Sequence, residues 1–162
     1  MEIKWHVLYL RPRTEKKMAE YCSRHDLTHY LPLRNETKIY QRRKVTVSKP
    51  VFPGYFFASF DADSRLQLLK SNHIVRIFDV PFQRPLLHEL AQIRRALRVD
   101  PTLGACTALQ KGRQVRITGG PFTGIEGIVA SLKANTKVCL NVDMIGQAVA
   151  VEVDRDLLEV ID

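Results

Sequence analysis

Cysteine is scarce. Cys22, Cys106 and Cys139 stand far apart and are odd in number, so no disulfide framework is encoded. Structural zinc is excluded on the same ground: Cys22, His25 and His29 have a suggestive spacing, but a tetrahedral site needs four ligands and the other cysteines are distant. No stretch approaches the roughly 20 apolar residues of a membrane span. The opening MEIKWHVLYLRPR has too short an apolar run and the wrong flanks for a signal peptide. A cytoplasmic protein with no membrane partner is expected. Repeats and low-complexity segments are missing. So are paired carboxylates, a nucleophile–base pair and a phosphate loop, and neither an enzyme nor a cofactor is expected.

Acidic residues are in the minority. Lysine and arginine number 25 against 17 aspartates and glutamates, a net charge of +8. Such a balance favours an anionic partner, most often nucleic acid, over a merely soluble basic protein. The charge is uneven. Residues 1–98 carry 19 basic and nine acidic side chains, a net +10, whereas residues 99–162 carry six and eight, a net −2. Two domains with different partners follow.

Trp5 to Leu10 reads as a buried strand ended by Pro12. Glu15 to His25 reads as an amphipathic helix, with Met18, Tyr21, Cys22 and His25 on one face and Thr14 as its cap. A short strand is expected around Leu31 to Leu33, and a basic hairpin arm over Lys38 to Val47. A central strand should run from Tyr55 to Phe60. A short helix with Leu66 and Leu69 should follow, capped by Asp61 or Asp63, then a strand at Ile74 to Phe78. Leu86, Leu90, Ile93 and Leu97 repeat at helical spacing after Pro85. This order describes an α+β sandwich, an antiparallel sheet with flanking helices, over residues 1–98. Residues 99–109 lose periodicity and read as a short linker. From residue 110 to 162 only strands are expected, at Arg113–Thr118, Ile125–Leu132, Lys137–Val142, Ala148–Glu152 and Leu158–Ile161. Five strands in so short a stretch point to a small closed barrel.

Two motifs stand out. In Phe52-Pro53-Gly54-Tyr55-Phe56-Phe57, Pro and Gly make a turn just before a strand. Alternation puts Tyr55 and Phe57 on one face and Phe56 on the other. The strand is either covered on both faces or presents rings to a protein partner. The second motif is KGRQVRITGGPFTGIEGIV at 111–129, in which six of nineteen residues are Gly or Pro. Val115 and Ile117 alternate with polar residues, and Gly119-Gly120-Pro121 breaks the strand. Phe122, between Pro and Gly at a turn, is either folded back on the barrel or exposed.

The second motif resembles the KOW motif. WHVLYLRPRTEKKMAE at 5–20, FPGYFF at 52–57, IVRIF at 74–78 and RPLLHELAQI at 84–93 resemble the N-terminal domain of the NusG family of transcription elongation and antitermination factors. NVDMIGQAVAVEVDRDLLEVI at 141–161 resembles the family's C-terminal ending. The resemblance covers nearly the whole chain, in order. It implies an N-terminal polymerase-binding domain followed by a five-stranded, SH3-like KOW β-barrel, acting as a monomer.

In such proteins the N-terminal domain docks on the clamp helices of the largest subunit of RNA polymerase and suppresses pausing. By match of motif, the docking surface here involves Trp5, Phe52, Tyr55 and Phe57, with Val7 and Tyr9 on the same strand. Arg11, Arg13, Lys16, Lys17 and Arg24 run along a strand end and one helix face, which is either a solvated face or, by the resemblance, the surface that meets the non-template DNA strand. Lys70, Asn72 and His73 lie where related specialised factors also meet DNA. The basic Gln41–Lys44 hairpin tip is left between the polymerase lobe and upstream DNA. Phe122, Met144 and Ile145 mark the loops that bind either termination factor Rho or a small-subunit ribosomal protein. Housekeeping members usually place an aromatic and a basic residue around the second loop's glycine; this chain has Ile145 and Gln147 around Gly146. That departure and the short linker point to a specialised, RfaH-like, operon-specific paralogue. The rival class is a ribosome-associated or RNA-binding KOW protein without polymerase affinity, which explains the charge and the barrel but not FPGY with Trp5. The valines at 138, 142, 149, 151 and 153 favour strands in the resting state.

Overall fold

The structure is a computed structural model that describes residues 2–162. In chain order the elements are β1 (Lys4–Leu10), α1 (Glu15–Arg24), β2 (Thr28–Tyr30), β3 (Leu33–Tyr40), β4 (Arg43–Pro50), β5 (Tyr55–Phe60), α2 (Ala62–Leu69), β6 (Ile74–Asp79) and α3 (Gln83–Val99). Then come β7 (Ala105–Thr107), β8 (Arg113–Ile117), β9 (Glu126–Val129), β10 (Asn135–Val142), β11 (Gln147–Asp154) and β12 (Leu158–Val160), with 3-10 turns at Asp143–Ile145 and Arg155–Leu157. The chain forms two compact units, Met1–Pro32 with Phe52–Arg84, and Leu33–Val51 with Pro85–Asp162.

In the first unit an antiparallel sheet has the order β2-β5-β1-β6. Alternation along β1 and β5 sends Leu8, Leu10, Phe56, Ala58 and Phe60 to one face, where they form a core with Met18 and Cys22 of α1 and Leu68 of α2. The Tyr21 hydroxyl donates to the Gln67 carbonyl oxygen at 2.5 Å and accepts from Gln67 Nε2 at 2.8 Å, tying α1 to α2.

Four local expectations change. Thr14 does not cap α1 with its side chain; its hydroxyl donates back to the Arg11 carbonyl at 2.7 Å. His25 is exposed, because α1 ends one residue earlier and the ring only tilts against Tyr21. The short strand lies at Thr28–Tyr30, ahead of Pro32, where each residue retains the backbone N–H that proline lacks. In α2 the residue that packs inward is Leu68, while Leu66 and Leu69 face water; eight residues are too few for periodicity to single out a face. Asp61 does cap α2, accepting from Ser64 N–H at 2.9 Å, and this bond holds its carboxyl below the usual range.

The second unit contains the hairpin, α3 and the C-terminal strands. The arm is longer than its sequence signal, pairing in register from Leu33↔Pro50 to Tyr40↔Arg43. Gln41 and Arg42 form its two-residue tip with φ of 48° and 65°, the left-handed pair that suits the twist of a two-residue hairpin. Its root is fixed by Asn35 N–H donating to the Pro101 carbonyl at 2.6 Å and Arg34 Nη2 to the Thr102 carbonyl at 3.2 Å. The C-terminal strands form one antiparallel sheet of six, not five, in the order β12-β8-β9-β10-β11-β7. The sixth is β7, inside the expected linker, which pairs with β11. Among the described residues no pairing joins β12 to β7, so the sheet has two ends. Val115, Ile117, Val129, Val138, Leu140, Val149 and Val151 fill its buried face. Gly127 lets β9 cross β10 closely: a Cβ there would lie 2.6 Å from Val138 Cγ1 and 2.7 Å from the Cys139 carbonyl oxygen.

Candidate functional sites

The register of β1 on β5 sets the first site. Trp5↔Ser59, Val7↔Phe57 and Tyr9↔Tyr55 are directly opposed, so their side chains share the sheet face turned away from α1 and α2. Exposure divides them. Val7, Phe52 and Phe57 are fully buried, Trp5 and Tyr55 are half-buried, and Tyr9 is 42 % exposed. The rings of Tyr9 and Tyr55 tilt against each other at 5.3 Å. The turn before β5 makes room for them. Phe52 accepts from Tyr55 N–H at 3.0 Å, and Gly54 has φ of 89°, a type II turn with Pro53 at its first corner. A Cβ on Gly54 would come within 2.9 Å of the Tyr9 ring. Buried Glu15 accepts from Gly54 N–H at 2.9 Å, so α1 fixes the same turn. At the other end, the Gln83 amide accepts from Trp5 N–H at 2.7 Å and donates to the Trp5 carbonyl at 2.9 Å. Sequence reasoning missed two residues of this face: Phe78, opposite Val7, and Arg76, opposite Tyr9. The Arg76 guanidinium lies 4.7 Å above the Phe78 ring. The alternating IVRIF pattern carried that signal.

The second site is basic. Arg11 N–H donates to the His73 carbonyl at 2.8 Å, which sets the end of β1 beside the turn after α2. Both turns are held in left-handed backbone, at Arg13 (φ 63°) and Asn72 (φ 63°), a conformation that costs a non-glycine residue roughly 1–3 kcal/mol. Arg11, Arg13 and Asn72 are exposed and His73 is half-buried. Lys16 and Lys17 follow in the first turn of α1, and Lys70 ends α2. Arg24 stands apart: it lies seven residues beyond Lys17 on the same helix face, about 10 Å along the axis. The structure therefore gathers Arg11, Arg13, Asn72 and His73 at one paired turn and leaves Arg24 at the far end of α1.

The third site lies on the six-stranded sheet. Thr123 closes the Gly120–Thr123 turn onto the Gly120 carbonyl with both its N–H and its hydroxyl, and Gly124 N–H donates to the Ile117 carbonyl at 2.7 Å. Phe122 is half-buried at its tip. Met144 (40 % exposed) and half-buried Ile145 lie on the 3-10 turn that joins β10 to β11. Antiparallel order brings the β8–β9 and β10–β11 connections out at the same end of the sheet. The Asp143 N–H donates at 3.3 Å to each oxygen of Glu89 on α3. Gln92, buried on α3, accepts from Glu126 N–H at 2.9 Å. Between α3 and the sheet is a cavity of about 220 Å³ lined by Glu89, Gln92, Ile128, Cys139 and Asn141. Burial, and then the charge of Asp143, push the Glu89 carboxyl up to about 8.

Among the described residues no cluster of His, Cys, Asp and Glu could hold a metal, and no helix is long and apolar enough to cross a membrane. A family model described as "Transcription termination factor nusG" matches residues 3–94. The transcription termination/antitermination protein NusG of Thermus thermophilus is 30% identical over 125 residues, covering 69% of this chain and 68% of that one. NusG of Deinococcus radiodurans is 29% identical over 131 residues, covering 69% of each chain. NusG of Borreliella burgdorferi is 23% identical over 142 residues, covering 79% and 77%. A solved structure of Thermotoga maritima NusG covers 100% of this chain and 99% of its own, with a TM-score of 0.53 and 18% identity, a likeness of fold.

Proposed function

The chain belongs to the NusG family of transcription termination and antitermination factors, and we propose on that footing that it acts by docking on the clamp helices of the largest subunit of RNA polymerase and suppressing pausing. The observation that carries this reading is the tilted pair Tyr9–Tyr55, partly open to solvent on the same sheet face as Trp5. Amphipathic helices dock on grooves lined by such rings. Val7, Phe52 and Phe57 are buried, so they support the open rings rather than touching the partner first.

The paired turn of Arg11, Arg13, Asn72 and His73, with Lys16, Lys17 and Lys70 beside it, serves the single non-template strand, and Arg24 extends the track. The six-stranded sheet curls into a KOW barrel of the SH3-like kind. Phe122, Met144 and Ile145, at one end of that sheet, form the surface for Rho or a small-subunit ribosomal protein. A polymerase-binding domain over 1–98, a linker over 99–109 and a KOW domain over 110–162 follow the charge boundary. The protein works by binding rather than catalysis, as a cytoplasmic monomer. Ile145 and Gln147 around Gly146 support an operon-specific paralogue. A purely ribosomal KOW role has less support, because the family match lies on residues 3–94.

Recruitment of the full chain to stalled polymerase complexes tests this reading. Tyr55→Ala should lower recruitment at least about tenfold, the loss of one central aromatic anchor, while circular dichroism of the chain is unchanged. Wild-type recruitment by a folded Tyr55→Ala chain rejects the docking face.

A further inference from the structure

Helix α3 has two unlike sides. Leu86, Leu90, Ile93 and Leu97 are buried on one. At 100° per residue the opposite side presents Leu87, His88, Ala91, Arg94, Arg95 and Arg98, all exposed. Three arginines in five residues therefore share one solvent face near the helix end. The C-terminal dipole favours a cation in the last turn, but that effect fades within one turn and does not call for three. Among the described residues none of the three guanidiniums has an ion pair or a hydrogen bond.

Nearby acids are engaged elsewhere. The only carboxylate within α3, Glu89, points to the cavity against the sheet and bonds Asp143 N–H. Asp100, two residues past Arg98, accepts from Thr102 N–H at 3.0 Å and from the Thr102 hydroxyl at 2.6 Å. Among the described residues no ion pair neutralises the arginines of this face.

We propose that the Arg94–Arg95–Arg98 face of α3 is a second nucleic-acid site, one that grips the phosphate backbone of a duplex without reading its sequence. Arginine, not lysine, occupies all three positions, and its planar fork matches phosphate oxygens in bidentate fashion. Arg94 and Arg98 lie one turn apart, about 6 Å along the axis, which suits neighbouring phosphates of one strand. The face has no Phe, Tyr or Trp on which an unpaired base could stack, so a duplex fits it better than a single strand. It is built on a different element from the paired turn at Arg11 and His73.

The test is fluorescence anisotropy of the full chain with a mixed-sequence 24-base-pair DNA duplex, over a range of salt. Arg94→Ala, Arg95→Ala and Arg98→Ala combined should weaken binding about tenfold at low salt and lower the log–log salt slope by about 2–3, three phosphate contacts at ~0.9 each. The substitutions favour helix, so circular dichroism should not change. The Arg→Lys triple variant should keep most of the slope and lose part of the affinity. An RNA duplex tells the two sources of backbone phosphate apart: equal losses support a general grip, and a loss confined to either duplex assigns the site to that one. Adding the triple variant to Arg11→Glu with Lys17→Glu should weaken binding further; no added loss overturns a separate site. Unchanged affinity and slope on both duplexes overturns the proposal. So does a variant that loses only a polyglutamate probe, since the face would then serve an acidic protein.

Discussion

Rings fill the interior of the four-stranded sheet, and β-branched side chains fill that of the six-stranded one. The first buries Phe56, Phe57 and Phe60 with long Leu and Met side chains; the second buries Val115, Val129, Val138, Val149, Val151 and Val153 and no aromatic ring. The rings of Phe56 and Phe60 pack under α1 and α2, which cover one face of the first sheet. In the second sheet the close approach is at Gly127, where β9 lies against β10 with no room for a Cβ. The surfaces differ in the same sense. The first sheet leaves a ring pair half open beside basic turns, whereas the second ends in glycine turns that carry Phe122 and Met144. On the proposed function the first surface would take an apolar helix and a polyanion, and the second a protein partner.

Changes in either core should break this comparison most strongly. Phe56→Ala removes a buried ring from the first sheet and should cost about 3–5 kcal/mol, read by denaturant unfolding. Gly127→Ala forces a methyl onto the β10 backbone and should cost about 2–3 kcal/mol. An unfolding midpoint unchanged by Gly127→Ala would mean that the strands of the second sheet are not closely crossed.

A pH effect separates the two units more gently. The Glu89 carboxyl is raised to about 8 by burial and by Asp143, above its ordinary 4.5. Its contribution to stability is therefore fully present below pH 4.5 and is lost as pH rises through 8. Allowing for water around a half-exposed group, the loss is on the order of 1–2 kcal/mol. Glu89→Gln should flatten that slope, and the first sheet, which lacks Glu89, should show no matching transition. The smallest expected effect is at the hairpin tip: Arg42→Gly should relieve a left-handed φ of 65° and add about 0.5–1 kcal/mol.

Periodicity made most of the fold legible. β1, α1, β5, β6 and α3 fall where alternation or helical spacing places them, because each is long enough to repeat its pattern. Short elements escaped. β2 and β7 have three residues each, and their partners on β5 and β11 decide them. The hairpin arm signalled itself only where valines and isoleucine alternate with charge; its outer pairs are held by register and by the root at Pro101. At the proposed docking face, alternation placed Tyr55 and Phe57 together but could not give their exposure. A strand covered on both sides and one with a ring left open share the same letters, and only the packed structure separates Tyr9 from Val7. Alternation within IVRIF put Arg76 and Phe78 on one face, but which face that is follows only from the β1–β6 register.

The central claim is that the open ring pair of the first sheet, not the loops of the second, grips the polymerase. Titration of the full chain into a labelled helical hairpin carrying the clamp-helix sequence tests it directly. Binding at micromolar concentration, lost in Tyr55→Ala and retained in Phe122→Ala, is the predicted result. No binding by the wild-type chain, or binding that survives Tyr55→Ala and fails in Phe122→Ala, would contradict it.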